Sequence, residues 1–189
     1  MDLDDYYNLD FILAEQTRIP CIALQDFDER ANLTGDKTKV KKNSKIEMPF
    51  WMAKPLGIFV AREHETLLTM LLPRMYGTKM RNALAAGASS VDLRSICPYY
   101  YIFACQVLGA LEDEQLPDIL EKAFLIRLRD IMDFSKTEGS TLGHEFVRKL
   151  DETEMGLFRV GKASAAQARR WEERNINSIN AFDLKARRQ

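Results

Sequence analysis

Residues 116–134 read Leu116-Pro117-Asp118-Ile119-Leu120-Glu121-Lys122-Ala123-Phe124-Leu125-Ile126-Arg127-Leu128-Arg129-Asp130-Ile131-Met132-Asp133-Phe134. The periodicity predicts one long helix. At about 100° per residue, Asp118, Lys122, Arg129 and Asp133 share a polar arc of about 60°, while Leu116, Ile119, Leu120, Ala123, Phe124, Leu125, Ile126, Leu128, Ile131 and Met132 cover most of the rest. So little wet surface means packing on several sides. Either this is the central helix of its own bundle, or a large face of it is covered by another chain. Arg127 stands in the middle of the apolar arc, flanked on the wheel by Leu116, Leu120 and Ala123. A guanidinium there cannot shed its charge, so the expectation is a buried or interfacial ion pair. The counter-charge is an acid of the following helix, such as Asp151 or Glu154, or one from a partner subunit.

Around this helix the sequence reads as mostly helical. Arg74 to Ala86 is predicted as a helix ending at Gly87. Pro98 opens another through Tyr99, Tyr100, Tyr101, Phe103, Val107 and Leu108, ending near Gly109. Thr141 to Phe158 is predicted as a fourth long helix, with Phe146, Leu150, Thr153 and Leu157 along one face, and a fifth runs from about Ala163 into the basic tail. Before Pro73 the signals differ. Asn8 or Asp10 caps a short helix ended by Pro20; Cys21 to Leu24 is a short apolar run; Lys45 to Met48 alternate with period two; Leu67 to Leu72 is a third strand candidate. The loop from Asp26 to Ser44 carries a Thr34-Gly35-Asp36 turn. Pro49 is predicted to open a helix at its first position, and Pro55 to kink or end it after little more than one turn. The fold class is therefore mainly α, with a small β-rich α/β module over residues 1–72 and an all-α bundle over 73–189.

Composition narrows the chemistry. The chain has 189 residues, with 27 Lys and Arg against 28 Asp and Glu and a formal charge of -1, so no global field draws it to nucleic acid or membrane. No apolar run is long enough to span a bilayer, and the acidic Met1-Asp2-Leu3-Asp4-Asp5 start has the wrong sign for a secretory leader; the expectation is a soluble intracellular protein. Three cysteines, Cys21, Cys97 and Cys105, lack Cys-x-x-Cys spacing and read as reduced packing residues. The two histidines, His64 and His144, lie apart from each other and from any cysteine, and no phosphate-binding glycine loop or Gly-x-Ser-x-Gly occurs. No catalytic, cofactor-binding or metal-binding residue is assigned. Asp151, Glu152 and Glu154 read as a solvated face of their helix. Tyr99, Tyr100, Tyr101 and Phe103 read as core or subunit contact, with a base-stacking platform as the alternative. Lys37, Lys39, Lys41, Lys42 and Lys45 have no acid among them and read as a solvated loop, with phosphate contact as the alternative.

Tyr6-Tyr7-Asn8-Leu9-Asp10 through Ile12-Leu13-Ala14 and Pro20 resembles the opening of the third-subunit family of the eukaryotic GINS DNA replication complex. Lys45-Ile46-Glu47-Met48-Pro49-Phe50-Trp51-Met52-Ala53 is similar to that family's basic residue, acid, Leu-Pro, apolar residue and Trp-Leu-Ala. Val91-Asp92-Leu93 with Pro98, then Phe124 with Arg127, Ile131, Met132 and Asp133, then Leu150-Asp151-Glu152 with Glu154, Leu157 and Phe158, and finally Trp171, follow in the family's order. The chain departs from the pattern in lacking a glycine-rich turn between Asp26 and Ser44, in Pro55, and in Met155 where a second charge is common. The resemblance implies a small β-rich domain followed by a helical domain that assembles with three homologous subunits into a heterotetramer. It further implies a nuclear, non-catalytic role in the initiation of DNA replication and fork progression. There GINS joins the MCM hexamer and the CDC forty-five protein in the replicative helicase, with DNA touched only indirectly or weakly and no membrane involved. The resemblance places Phe124, Arg127, Leu150, Leu157, Phe158 and Trp171 in the assembly domain and Trp51 in the small domain or its junction. With Leu128, Ile131 and Phe146 they are the candidate interface or assembly-core residues. The alternative is a nucleic-acid-binding module using the Lys37 to Lys45 loop and the basic tail.

Overall fold

The computed structural model describes residues 7–31, 38–58, 66–137 and 141–173. The Thr34-Gly35-Asp36 turn, Lys37, His64 and the basic tail lie outside them. Helix α1 (Leu9–Glu15) starts at Asn8, whose side chain accepts from the backbone N–H groups of Asp10 and Phe11. Strands β1 (Arg18–Ala23), β2 (Lys45–Pro49) and β3 (Leu68–Met70) form an antiparallel sheet in the order β2-β1-β3. The sheet obeys the two-residue period. Ile19, Cys21, Ala23, Ile46, Met48 and Leu68 point inward, and Arg18, Pro20, Ile22, Lys45 and Glu47 outward. Asn43, at φ 64°, turns the chain into β2 in a left-handed conformation that Asn tolerates better than most residues.

Helix α2 (Phe50–Ile58) follows β2 directly and contains Pro55, which does not end it. Phe50 and Ala53 are fully buried, and Phe50 meets Phe103 edge to face at 5.6 Å. Their packing outweighs the one hydrogen bond that Pro55 removes. Pro49 is the last strand residue, one place outside the helix.

The expected helix from Arg74 divides into a 3-10 turn, Arg74–Tyr76, and α3 (Thr78–Gly87), because Gly77 is extended between them. Two tyrosines fix that turn. Tyr76 donates its hydroxyl to the Tyr100 carbonyl at 2.7 Å, and Tyr100 donates to the Met75 carbonyl at 3.1 Å. A short helix α4 (Leu93–Ile96), capped by Asp92, precedes α5 (Tyr100–Leu108), which begins two residues after Pro98. Tyr100 and Phe103 are core residues, not an open stacking platform.

Helix α6 (Leu116–Lys136) is as long as its periodicity implied. The predicted fourth helix is two: α7 (Thr141–Arg148) and α8 (Glu152–Glu172), the latter absorbing the expected fifth. The break is chemical. The Asp151 side chain accepts from the Glu154 N–H, and the Glu154 side chain accepts from the Asp151 N–H, a reciprocal cap that starts a new helix. Arg127 meets Glu154, while further along Ser135 lies beside Gly161, so α6 and α8 run the same way with α7 as the return. One hydrophobic cluster extends from the inner face of the sheet through Tyr76, Leu84, Tyr100 and Phe103 to Ala123 of α6; Ile131, Phe146 and Leu150 form a second. Cys21 and Cys97 are buried, and burial raises both thiols, Cys21 to about 11. Cys105, expected to pack inside, is exposed, because its position on α5 turns away from the core.

Candidate functional site

Along α6, Leu116, Leu120, Ala123, Arg127, Ile131 and Ser135 recur every three or four residues and form the buried face. Arg127 stands in its middle, 0% exposed. Its Nε donates to Glu154 Oε1 at 2.7 Å and Nη2 to Glu154 Oε2 at 2.8 Å, the two-pronged geometry that guanidinium and carboxylate share. Nη1 donates to the carbonyls of Ala88 at 2.8 Å and Val91 at 2.9 Å, and Nη2 also to that of Lys149 at 3.2 Å. All five guanidinium donors are thereby used. The Phe146 ring lies 5.5 Å from Arg127 Cζ. One side chain thus joins α6, the turn after α3, the junction of α7 and α8, and the first turn of α8.

Asp151 and Glu154 are both fully buried, so neither belongs to a solvated face. The expectation that one of them answers Arg127 holds: the partner is Glu154, in the same chain. A one-turn offset from the helix start brings Glu154 back over its own cap, where water is already excluded. Asp151 accepts from the Glu154 N–H at 2.8 Å and from the Tyr101 N–H at 3.2 Å. Two carboxylates against one guanidinium leave an excess negative charge. Burial, with the Glu154 charge adding to it, pushes the Asp151 carboxyl up to about 6 despite its two backbone donors and Arg127. Burial works against the Arg127 charge, but the hydrogen bonds and Coulomb attraction of Glu154 prevail and hold its pKa above the usual range.

A second face of α8 is the reverse of this. Leu157, Val160, Ser164, Ala168 and Trp171 follow at spacings of three, four, four and three, which keeps them on one side of the helix, and all five are exposed. The three large apolar members are open to water: Leu157 is 40%, Val160 68% and Trp171 75% exposed. Between them Ser164 and Ala168 are small, which lets another backbone approach closely. On α6, Leu125 and Met132 share a second outward apolar face, 55% and 50% exposed.

The candidate residues therefore separate. Arg127, Ile131, Phe146 and Leu150 are interior; Phe124, Leu128 and Phe158 are half-buried; Trp51, Leu157 and Trp171 are exposed. Val160 was missed by the sequence reading, although its spacing from Leu157 marked it. In the lysine loop, Lys39 lies 3.7 Å from Asp28 and 3.8 Å from Glu29, and the Lys42 N–H donates to Asp26. Lys41, Lys42 and Lys45 are exposed. Among the described residues no group of three His, Cys, Asp or Glu is placed to hold a metal, and no helix is long and apolar enough to cross a membrane.

Two family models match the sequence: a GINS complex protein helical bundle domain over residues 75–173 and a PSF3 N-terminal domain over residues 7–58. The chain is 34% identical over 169 residues to the DNA replication complex GINS protein psf3 of Aspergillus fumigatus, an alignment covering 88% of this chain and 95% of that one. It is 32% identical over 176 residues to the corresponding Phaeosphaeria nodorum protein, covering 89% and 96%. Over 190 residues it is 31% identical to the Mus musculus protein, covering 96% and 86%.

Proposed function

The chain belongs to the PSF3 family of GINS complex proteins, and on that premise we propose that it is a non-catalytic structural subunit of a GINS heterotetramer. Its partners are the three other GINS subunits, and through them the MCM hexamer and the CDC forty-five protein of the replicative helicase. Its place of action is the nucleus, in replication initiation and fork progression. Its contribution is binding energy: by joining one assembled state and not others, it shifts the population towards that state. We place the boundary between a small sheet-bearing module and the assembly domain near residue 72.

The observation that carries this reading is the seam Leu157, Val160 and Trp171, with the small Ser164 and Ala168 between them, exposed on a helix whose other face is packed against α6. A stripe of apolar and small residues along a well-packed helix fits a helix of another chain. Co-expression with the three other subunits, followed by native mass measurement, tests it. The expected particle contains one copy of each. Val160→Glu with Trp171→Glu should remove this chain from the particle, keep its helical circular dichroism, and make it more soluble alone. A double variant that assembles as well as the wild type would overturn the assignment of the seam.

A further inference from the structure

A second surface lies on the sheet, away from the seam. Arg18 and Pro20 of β1, Lys45, Ile46 and Glu47 of β2, and the segment from Leu71 to Met75 enclose a groove of about 710 Å³. Its walls are fixed. The Leu71 N–H donates to the Pro20 carbonyl at 2.8 Å, and Tyr76, fully buried, anchors the far end of the segment. The groove is therefore present before anything binds, which lowers the cost of ordering an occupant.

Its chemistry is specific. Arg18, Lys45 and Arg74 are exposed at its rim, and none has an ion pair to another described residue. In the ladder Arg18 stands opposite Pro49, Glu47 opposite Pro20, and Lys45 opposite Ile22. On this outward face the two cations are four positions apart, about 13 Å at the rise of an extended strand, with Glu47 midway. Pro20, Leu71, Leu72 and Met75 add apolar surface, and among the described residues that line it there is no aromatic ring for a base to stack on.

We propose that this groove docks an extended acidic segment of a partner protein, with carboxylates at positions i and i+4 facing Lys45 and Arg18, a hydroxyl at i+2 donating to Glu47, the methylenes of these side chains against Pro20 and the wall of Leu71, Leu72 and Met75, and the intervening residues turned away from the sheet. Alternate side chains of an extended peptide point the same way, so one strand satisfies all three positions. Arg74 adds charge from the opposite wall. The lack of a stacking ring and the carboxylate of Glu47 favour a peptide over a nucleic acid strand.

The test uses the full-length chain in the assembly with which it co-purifies and a fluorescein-labelled Asp-Leu-Ser-Leu-Asp peptide, read by anisotropy at low salt. Saturable binding is expected, weakened about tenfold or more when both Asp are replaced by Asn in the peptide. A similar loss is expected from Arg18→Glu with Arg74→Glu, and none from Lys122→Glu on α6. If the double reversal lowers the melting temperature, Arg18→Gln with Arg74→Gln carries the comparison. Absence of saturable binding, equal binding of the Asn peptide, or an unchanged affinity in the arginine variants would overturn the proposal. So would a single-stranded oligothymidylate that displaces the peptide and itself binds more tightly.

Discussion

Helix α8 presents two surfaces with opposite logic. On one, a cation and two carboxylates, the costliest groups to remove from water, are enclosed by the same chain and every guanidinium donor has an acceptor. On the other, Leu157, Val160 and Trp171, which gain most from leaving water, are left in it. Polarity alone therefore does not say which side of a helix faces outward. Groups whose partners the chain supplies go inside whatever their charge, and the apolar groups left outside form the seam proposed above for another chain.

The enclosed side should respond most strongly to substitution. Arg127→Ala leaves Glu154 buried without a counter-charge and frees three carbonyls, so it should cost about 3 to 5 kcal/mol in denaturant unfolding. A loss below about 1 kcal/mol would mean that water reaches this site and would dissolve the contrast.

Asp151 probes the same side through pH. Its folded-state pKa, about 6, is raised, so between pH 4 and 6 the native state holds a proton that the unfolded chain has released. Stability contributed by this group is present at low pH and lost as pH rises through that window. Asp151→Asn keeps one cap acceptor and cannot ionise. Relative to it, the wild type should lose about 2 kcal/mol from pH 4 to pH 6, part of about 3 kcal/mol over the whole transition, and level off above about pH 7, by melting curves across pH. A constant difference would show Asp151 ionised throughout.

Gly161 tests how closely α6 and α8 approach. A Cβ there would lie 2.8 Å from Ser135 Oγ and 3.0 Å from its Cβ. Gly161→Ala should therefore destabilise by about 1 to 3 kcal/mol, although alanine favours a helix, and Ser135→Gly in the same chain should recover part of the loss. Equal stability of Gly161→Ala would place the helices further apart.

Changes on the open side should matter least to folding. Arg129→Ala, two residues from Arg127 but exposed, should change unfolding by less than about 0.5 kcal/mol. Equal effects at 127 and 129 would erase the distinction between the two arcs.

Much of this was legible in the residues themselves. The 3.6-residue period of 116–134 and the position of Arg127 within it announced a buried cation, because a charge in an apolar arc has few alternatives. The alternation of Lys45 to Met48 gave β2. The cap at Asp151 was also written in the chain, as Asp-x-x-Glu before an apolar run, but the even apolar spacing of Phe146, Leu150 and Leu157 on either side hid the break. Pro55 misled in the opposite direction, since its local cost is real and only the burial of Phe50 and Ala53 overrides it.

Residue order alone sets out what must be satisfied: an arginine that cannot lose its charge, apolar faces that must be covered, a sheet with one inner face. What does the satisfying is settled in three dimensions. Glu154, Ala88, Val91 and Lys149 reach Arg127 from three segments distant in the chain, and no local pattern encodes their meeting. Periodicity is set by geometry within a few residues, whereas partnership depends on how whole elements pack. For the same reason the seam of α8 reads identically in sequence whether its partner is inside the chain or outside it.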